Sequence, residues 1–159
     1  MTGKHVCDSY STLSELALPN DANGLGNVLG GKIMHLVDIA GSLAAARHTR
    51  GFVVTASFDQ MDFLEPVHIG ELISLHAAVN RVFRSSMEVG VKVFAENMRS
   101  ADVRHVASAY LTFVHLNENR KPIAVPEASP KNDEERRRHD ETGQRRAARL
   151  ERRRNEGRR

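Results

Sequence analysis

The feature that most restricts the fold is a run of about 20 residues, from Gly30 to Thr49, that is apolar on nearly every side of a helix. Apolar residues at helical spacing cover one side of the run and much of the rest: Ile33, Val37, Ala40, Ala44, Met34, Leu36, Ile39 and Leu43. A helix that is apolar nearly all round is buried. The remainder of the chain must therefore surround it.

The segments around this helix have the composition and alternation of strands. We predict one strand over residues 11–18 and four more over 52–63, 72–84, 86–95 and 103–116, joined mostly by short turns. Short turns imply antiparallel pairing, and a single buried helix needs a sheet curved around it. The sequence thus predicts an α+β hotdog fold, an antiparallel sheet of about five strands wrapped around one long central helix. Pairing of free sheet edges between two copies predicts a dimer.

The two ends of the chain differ in composition from the middle. Residues 1–10 predict a polar, mobile start, residues 11–126 the folded domain, and residues 127–159 a charged tail that is a solvated helix or disordered. Residues 131–159 carry 12 Lys/Arg and 7 Asp/Glu, so the basic charge belongs to the tail. Residues 1–130 are nearly neutral, with 11 Lys/Arg and 13 Asp/Glu, and indicate no nucleic-acid partner.

Cellular location follows from what the sequence lacks. No apolar run approaches the roughly 18 residues of a membrane span, so we predict no stable membrane insertion. The start of the chain has no apolar signal segment. The single cysteine, Cys7, cannot form an intrachain disulfide, which favours a reducing, cytoplasmic setting.

Asp38 and the glycines before it are the candidate functional residues of the helix. An unpaired buried carboxylate costs about 2 kcal/mol or more, so Asp38 faces a solvated gap, is hydrogen-bonded in the core, or has a role in a site. The segment GLGNVLGG matches neither the GxGxxG fingerprint nor a P-loop. Gly30 and Gly31 at the helix start are consistent with a tight turn, or with a ligand approaching free backbone N–H groups.

Two further patterns leave more than one interpretation open. Arg81, Arg84, Ser85 and Ser86 form a basic hairpin turn that is either simply solvated or a phosphate contact. The eight histidines have no metal-ligand spacing, and HExxH and CxxC are absent, so no metal site is predicted.

Three segments, in this order and spacing, resemble one family: PNDANGLGNVLGGKIMHLVDIAG, VTASFDQMDFLEPVHIGE and RVFRSSMEVGVKV. They are similar to the hotdog-fold acyl-CoA thioesterases, in the branch of bacterial acyl-CoA hydrolases and cytosolic long-chain acyl-CoA hydrolase. The resemblance covers residues 13–126. It implies hydrolysis of fatty acyl-CoA to fatty acid and CoA, with no cofactor beyond the CoA of the substrate. It also implies a homo-oligomer, a dimer at minimum and a hexamer as a trimer of dimers.

The resemblance also assigns roles to residues. It implies that Asn27 and Asp38 act as a pair contributed by different subunits, with Asp38 as general base or nucleophile and Asn27 holding the water or the thioester carbonyl. The N–H groups of Gly30 and Gly31 would stabilise the oxyanion. Thr55 and Ser57 would line the thioester end, and the CoA nucleotide would lie near Arg81, Arg84, Ser85 and Ser86.

Two other functions on the same fold remain as alternatives. A hotdog enoyl-CoA hydratase should carry a D-x-N-P-x-H-type stretch, which this chain lacks. A non-catalytic hotdog sensor would bind acyl-CoA and usually carries a DNA-binding segment. The basic tail is the candidate for such a segment, but it lacks the apolar periodicity of a helix-turn-helix. The preferred acyl chain length depends on how subunits pack.

Overall fold

The computed structural model describes residues 3–157 of the 159-residue chain. Within them the elements are β1 (Lys4–His5), β2 (Ser11–Leu16), α1 (Gly30–Thr49), β3 (Phe52–Phe63), β4 (Leu72–Val82), β5 (Ser86–Glu96), β6 (Val103–Leu116), β7 (Ala128–Ser129) and α2 (Asp133–Glu156). The helix predicted over 30–49 and the strands predicted over 52–63 and 103–116 have the predicted bounds. The first strand and the strand from residue 72 each end two residues earlier than predicted.

Five strands form one antiparallel sheet in the order β2-β4-β5-β6-β3, and α1 contacts all five of them. Alternate residues of each central strand point to α1, as the two-residue period of a strand requires. In β5 these are Met87, Val89, Val91, Val93 and Ala95, all buried. The predicted α+β hotdog arrangement is therefore confirmed. The strands β2 and β3 lie at the two edges of the sheet.

The edge strand β3 is interrupted by two bulges. Its pairing with β6 skips Ala56 and Asp59, each of which shifts the register by one residue. A one-residue shift exchanges the faces of a strand. As a result Val53, Phe58 and Met61 all pack against the core around α1, although their spacing is not a simple alternation.

The N-terminal segment differs from the predicted mobile start. Residues 4 and 5 form β1, which pairs in parallel with β7, and a 3-10 turn follows over Val6–Ser9. Val6 is buried, and Lys4 Nζ donates a hydrogen bond to the carbonyl of His48 at the end of α1. Because the strand partner lies more than 120 residues further along the chain, no local pattern indicates this pairing. Residues 1 and 2 of the predicted start lie outside the described residues.

The tail also differs from the prediction, because its helix is docked and not solvated on all sides. Three residues of α2 that are seven apart, Glu135, Thr142 and Arg149, are buried against the outer face of the sheet, the face opposite α1. Glu135 accepts a hydrogen bond from the Tyr10 hydroxyl at 2.8 Å. This seam of α2 is polar, so the usual search for an apolar helix face does not detect it.

The centre of the seam is a buried ion pair. Glu88 of β5 is 3 % exposed and accepts hydrogen bonds from Arg145 Nε at 2.9 Å and Nη2 at 2.8 Å. Thr142 Oγ1 and Asn80 Nδ2 also donate to Glu88, each at 3.0 Å. Burial alone would lower the pKa of Arg145, but the hydrogen bonds and charge of Glu88 outweigh burial and raise that pKa. The helix thus brings the cation that the buried carboxylate requires.

The start of α2 is capped within the chain. Asn132 precedes the helix in an extended conformation, and its side-chain oxygen accepts the backbone N–H of Glu135 at 2.8 Å. Asp133, Glu134 and Glu135 occupy the first turn, where negative charge is favourable.

Replacing Arg145 by alanine should destabilise the protein by about 3 kcal/mol, because it leaves the Glu88 carboxylate buried without its cation. Arg152→Ala removes the same side chain from an exposed position of α2 and should change stability by less than about 0.5 kcal/mol. The measurement is the free energy of unfolding in urea, at one protein concentration for all variants. Equal effects of the two substitutions would mean that α2 does not depend on this ion pair.

Candidate active site

Asp38 lies in the third turn of α1 and is partly exposed in the single chain. Its Oδ1 accepts a hydrogen bond from Thr55 Oγ1 of β3 at 2.6 Å. The carboxylate on this largely apolar helix is therefore neither buried nor unpartnered. It faces the open side of α1, beside the edge strand of the sheet.

Asn27 and Asn23 organise the loop that leads into α1. The Oδ1 of Asn23 accepts the backbone N–H groups of Leu25 at 2.8 Å and Asn27 at 3.1 Å, and Asn23 N–H donates to the Asn27 carbonyl at 2.7 Å. Gly26 closes this loop at φ 79°, in the left-handed region that favours glycine. The Oδ1 of Asn27 accepts a hydrogen bond from His68 Nδ1 at 3.0 Å. Neither Asn23 nor His68 is among the residues predicted from the sequence.

His68 is held beside Asn27 by a short ionic network. Its backbone N–H donates to Glu71 Oε2 at 2.8 Å, and the Arg104 guanidinium donates to both Glu71 oxygens and to Glu65. The hydrogen bonds that Arg104 donates to Glu71 and to Glu65 raise the pKa of Arg104, so this arginine stays charged. The position of His68, and with it the Asn27 side chain, is fixed by this network.

Gly30 and Gly31 are the first two residues of α1, where backbone N–H groups have no partner within the helix. Both residues are exposed, and a Cβ added at Gly31 would meet no atom within 4 Å. A cavity of about 300 Å³ lies at this end of α1, lined in part by Asn23, Asn27 and Gly30. The N–H groups at the helix start are accessible to a ligand.

The predicted pair of Asn27 and Asp38 is not brought together within one chain. Asp38 follows Gly30 by eight residues, which is about 12 Å along a helix axis. The two side chains have different partners, His68 and Thr55. Within one chain the candidate residues therefore form two separate groups, one at the start of α1 and one around Asp38.

Thr55 and Ser57, predicted to share a site, are directed to different places. Thr55 reaches Asp38, whereas Ser57 Oγ donates a hydrogen bond to Asp59, which contacts the outer face of the sheet through Thr112. The bulge at Ala56 between them reverses the face of the strand.

The four candidate residues of the β4–β5 hairpin, Arg81, Arg84, Ser85 and Ser86, do not share one environment. Arg81 is turned towards α2, with its guanidinium 5.6 Å from the Phe83 ring, and Arg146 of α2 lies 4.3 Å from the same ring. Arg84 is exposed. The backbone carbonyl of Ser86 accepts a hydrogen bond from Phe83 N–H within the turn, and that of Ser85 accepts one from His115 N–H of β6.

Large apolar side chains are also exposed on the open side of α1. Met34, one turn before Asp38, is 40 % exposed, and Leu43 is 43 % exposed. The sequence predicted a helix buried on nearly all sides, but this strip of α1 is open in one chain. Exposed apolar surface beside an unpaired strand edge is typical of an interface.

Comparison with known proteins identifies the class. Residues 25–101 match the family model described as the thioesterase superfamily. The chain is also 42 % identical over 117 residues to the uncharacterized acyl-CoA thioester hydrolase YkhA of Bacillus subtilis, covering 74 % of this chain and 68 % of that protein. The chain belongs to the thioesterase superfamily.

Solved structures narrow the likeness to acyl-CoA hydrolases. The acyl-CoA hydrolase from Bacillus cereus superposes with a TM-score of 0.94 at 34 % identity, covering 99 % of this chain and 96 % of that one. The Staphylococcus aureus acyl-CoA hydrolase, solved with butyryl coenzyme A, coenzyme A and coenzyme A disulfide, gives 0.91 at 32 % identity, covering 98 % and 94 %. A hexameric acyl-CoA thioesterase gives 0.92 at 33 % identity, covering 96 % and 97 %.

Further matching structures are variants of the Staphylococcus aureus enzyme. In them an asparagine, an aspartate or a threonine is replaced by alanine, and along that chain these residues are separated by 15 and then 17 positions.

Within residues 3–157 of the present chain, neither helix could cross a membrane.

Leu43→Asp should weaken self-association, because it places a charge in the exposed apolar strip of α1 that a second copy would cover. Leu18→Asp is the matched control: Leu18 is 46 % exposed but precedes the turn at Pro19–Asp21, outside the strip. Light scattering after size-exclusion chromatography should give a smaller species for Leu43→Asp only. An unchanged mass for Leu43→Asp would place the interface elsewhere.

Proposed function

We propose that this protein hydrolyses fatty acyl-CoA thioesters to free fatty acid and CoA. The observation that carries the proposal is the Asp38 carboxylate held by Thr55 at 2.6 Å on the open side of α1. Asp38 and Thr55 are separated by the same 17 positions as the aspartate and threonine replaced in the Staphylococcus aureus acyl-CoA hydrolase. The bound coenzyme A compounds of that enzyme support acyl-CoA as the substrate class.

The same comparison of spacing favours Asn23 as the asparagine of the site. In the Staphylococcus aureus enzyme the asparagine precedes the aspartate by 15 positions. Asn23 precedes Asp38 by 15 positions, whereas Asn27 precedes it by 11. Both asparagines line the cavity at the start of α1. We therefore assign the role first predicted for Asn27 to Asn23, and the two assignments can be tested against each other.

The chemistry begins with an electrophilic carbonyl and a good leaving group, since a free thiol has a pKa near ~8.5. Asp38 acts as general base and takes a proton from water while the water oxygen attacks the carbonyl carbon. The C–S bond then breaks, the fatty acid is released, and the CoA thiolate takes the proton from Asp38, which restores the carboxylate. Attack by Asp38 itself, through an anhydride that water opens, is the alternative covalent route. The Thr55 hydroxyl fixes the carboxylate in either case.

Hydrogen-bond donors at the start of α1 activate the thioester carbonyl. Because the Oδ1 of Asn23 already accepts two backbone N–H groups, its Nδ2 is the group left to donate to the thioester oxygen. The N–H groups of Gly30 and Gly31 support the developing oxyanion, and such a donor is worth about 3 kcal/mol in well-studied acyl-transfer enzymes. Hydrolysis by this scheme uses no metal or cofactor.

The complete site requires two chains, because Gly30 lies about 12 Å along α1 from the Asp38 of its own chain, and Asn23 lies in the loop before Gly30. A second copy that packs on the open side of α1 and pairs with the free edge of β3 places its Asn23 loop beside Asp38. The assembly is a dimer at minimum and a hexamer as a trimer of dimers, which the hexameric relative supports. Arg84, Ser85 and Ser86 remain the contacts proposed for the CoA nucleotide. Arg81 is less suited to that role, since it is directed to α2.

We also propose a cytoplasmic location. A relative that supports it is the cytosolic acyl coenzyme A thioester hydrolase of rat, 35 % identical over 138 residues, of which this chain spans 36 %.

The purified protein should release free CoA from acyl-CoAs, in a thiol assay run on a series from short to long chains. EDTA should leave the rate unchanged. Asp38→Asn, which keeps the hydrogen bond from Thr55 but loses the base, should lower kcat by about 100-fold or more. If wild type binds acyl-CoA without releasing thiol, the protein is a binding module and the proposal fails. Inhibition by EDTA that zinc reverses would also contradict the scheme.

Subunit mixing should distinguish the two asparagines. Asn23→Asp keeps the acceptor that holds the loop but removes the Nδ2 donor, and it should be nearly inactive alone; Asn27→Asp, the matched control, should retain most activity. Mixing Asn23→Asp with Asp38→Ala gives hybrid dimers with one intact site, so about a quarter of wild-type activity should return. If Asn27→Asp were inactive alone and regained activity when mixed with Asp38→Ala, the role would belong to Asn27. No recovery after subunit exchange verified by mass spectrometry would mean that both groups act from one chain.

A further inference from the structure

The bulged part of β3 is held from the side opposite the proposed site. Asp59, the second bulge residue, has a side chain only 6 % exposed. Its Oδ1 accepts a hydrogen bond from Ser57 Oγ, and its Oδ2 accepts one from Thr112 Oγ1 of β6 at 2.5 Å. One carboxylate thus ties both ends of the segment between the bulges and joins it to the neighbouring strand.

A buried carboxylate of this kind needs a cation, and α2 provides it. Among the described residues, Arg149 has the one cationic nitrogen within 4 Å of Asp59, with Nη1 3.9 Å from Oδ2. Arg149 also donates to Thr112 Oγ1, the hydroxyl that donates to Asp59. The Arg149 side chain is 8 % exposed, so water does not replace it as the partner of Asp59.

Arg149 is where α2 reaches the edge strand. The seam of α2 starts at Glu135, near Tyr10 before β2, passes Glu88 of β5 and ends at Thr112 of β6 and Asp59 of β3. From Glu135 to Arg149 the helix rises about 21 Å, and five strands span about 19 Å from one edge to the other. The helix therefore crosses the whole sheet, and its last buried residue lies under the strand that carries Thr55.

We infer that Arg149 is a positioning residue for thioester hydrolysis: by holding Asp59 it fixes the bulged segment of β3, and so the Thr55 hydroxyl against Asp38. The inference rests on the proposed function. The path is short, because Ser57, bound to Asp59, lies two residues from Thr55, bound to Asp38. It crosses the sheet through the bulge at Ala56, which directs the two hydroxyls to opposite faces.

Kinetics of Arg149→Ala test this link, with Arg152→Ala on the exposed face of α2 as control. Arg149→Ala should lower kcat by about tenfold, since a small misplacement of a catalytic group costs that much or more, while KM stays within about twofold. Arg149→Lys, which restores the charge, should recover part of the loss. In a Thr55→Val background, Arg149→Ala should have little further effect, because its influence passes through Thr55.

Hydrogen exchange gives a readout that does not depend on turnover. Amides of residues 55–60 should exchange faster in Arg149→Ala than in wild type or Arg152→Ala, whereas those of β5 should not. Wild-type kcat in Arg149→Ala, a loss that adds fully to that of Thr55→Val, or unchanged exchange in residues 55–60 would each overturn the inference. If Arg149→Ala does not fold, Arg149→Lys is compared in the same way. If the wild type does not release CoA, the proposed function is wrong. The exchange measurement still shows whether Arg149 holds the bulged segment of β3.

Discussion

Burial of α1 is the interaction on which the rest of the structure depends. The helix contacts every strand of the five-stranded sheet, and Val37, Ala40 and Ala44 are fully buried. The helix lies so close to the sheet that a Cβ on Gly41 would be 3.0 Å from the Phe113 ring of β6. The sheet cannot enclose the whole helix, and the strip that stays open is where Asp38 lies. A carboxylate at a buried position of α1, such as Val37 or Ala40, would lie in the core, where its desolvation would oppose folding.

The outer face of the sheet solves a different problem. Glu88 and Asp59 are carboxylates on the face away from α1, and both would be unstable if covered by apolar groups. Helix α2 covers them with arginines, and Arg145 also lies 3.7 Å from the Tyr110 ring, where its charge is favourable. Burial lowers the pKa of Arg149, and Asp59 partly offsets that effect. The basic composition of the tail is thus explained in part by pairing with the sheet and not only by solvation.

The sequence was sufficient for elements whose pattern is local. The bounds of α1, β3 and β6 follow from apolar periodicity and from the turn residues between them, and the antiparallel order follows from short connections. Features that depend on distant partners were not predictable in this way. Pairing of β1 with β7, the polar seam of α2 and the direction of Ser57 each require a residue far away in the chain. In the proposed site, Asp38 and Thr55 were both predicted from the sequence and are joined by a hydrogen bond, whereas the proposed Asn23 was not singled out because the glycine-rich motif drew attention to Asn27.

The two bulges of β3 have a consequence for how copies of this chain avoid uncontrolled association. A free edge 12 residues long is a template on which further chains can add without limit. Bulges at Ala56 and Asp59 break the regular ladder, so a partner strand fits in few registers and a flat, extending stack is disfavoured. In the proposed dimer a two-fold axis uses both β3 edges at once. The sheet edge that remains outside the proposed dimer interface is β2. This strand is six residues long and carries Glu15 in a salt bridge with Lys32, so it is a poor template for fibre growth.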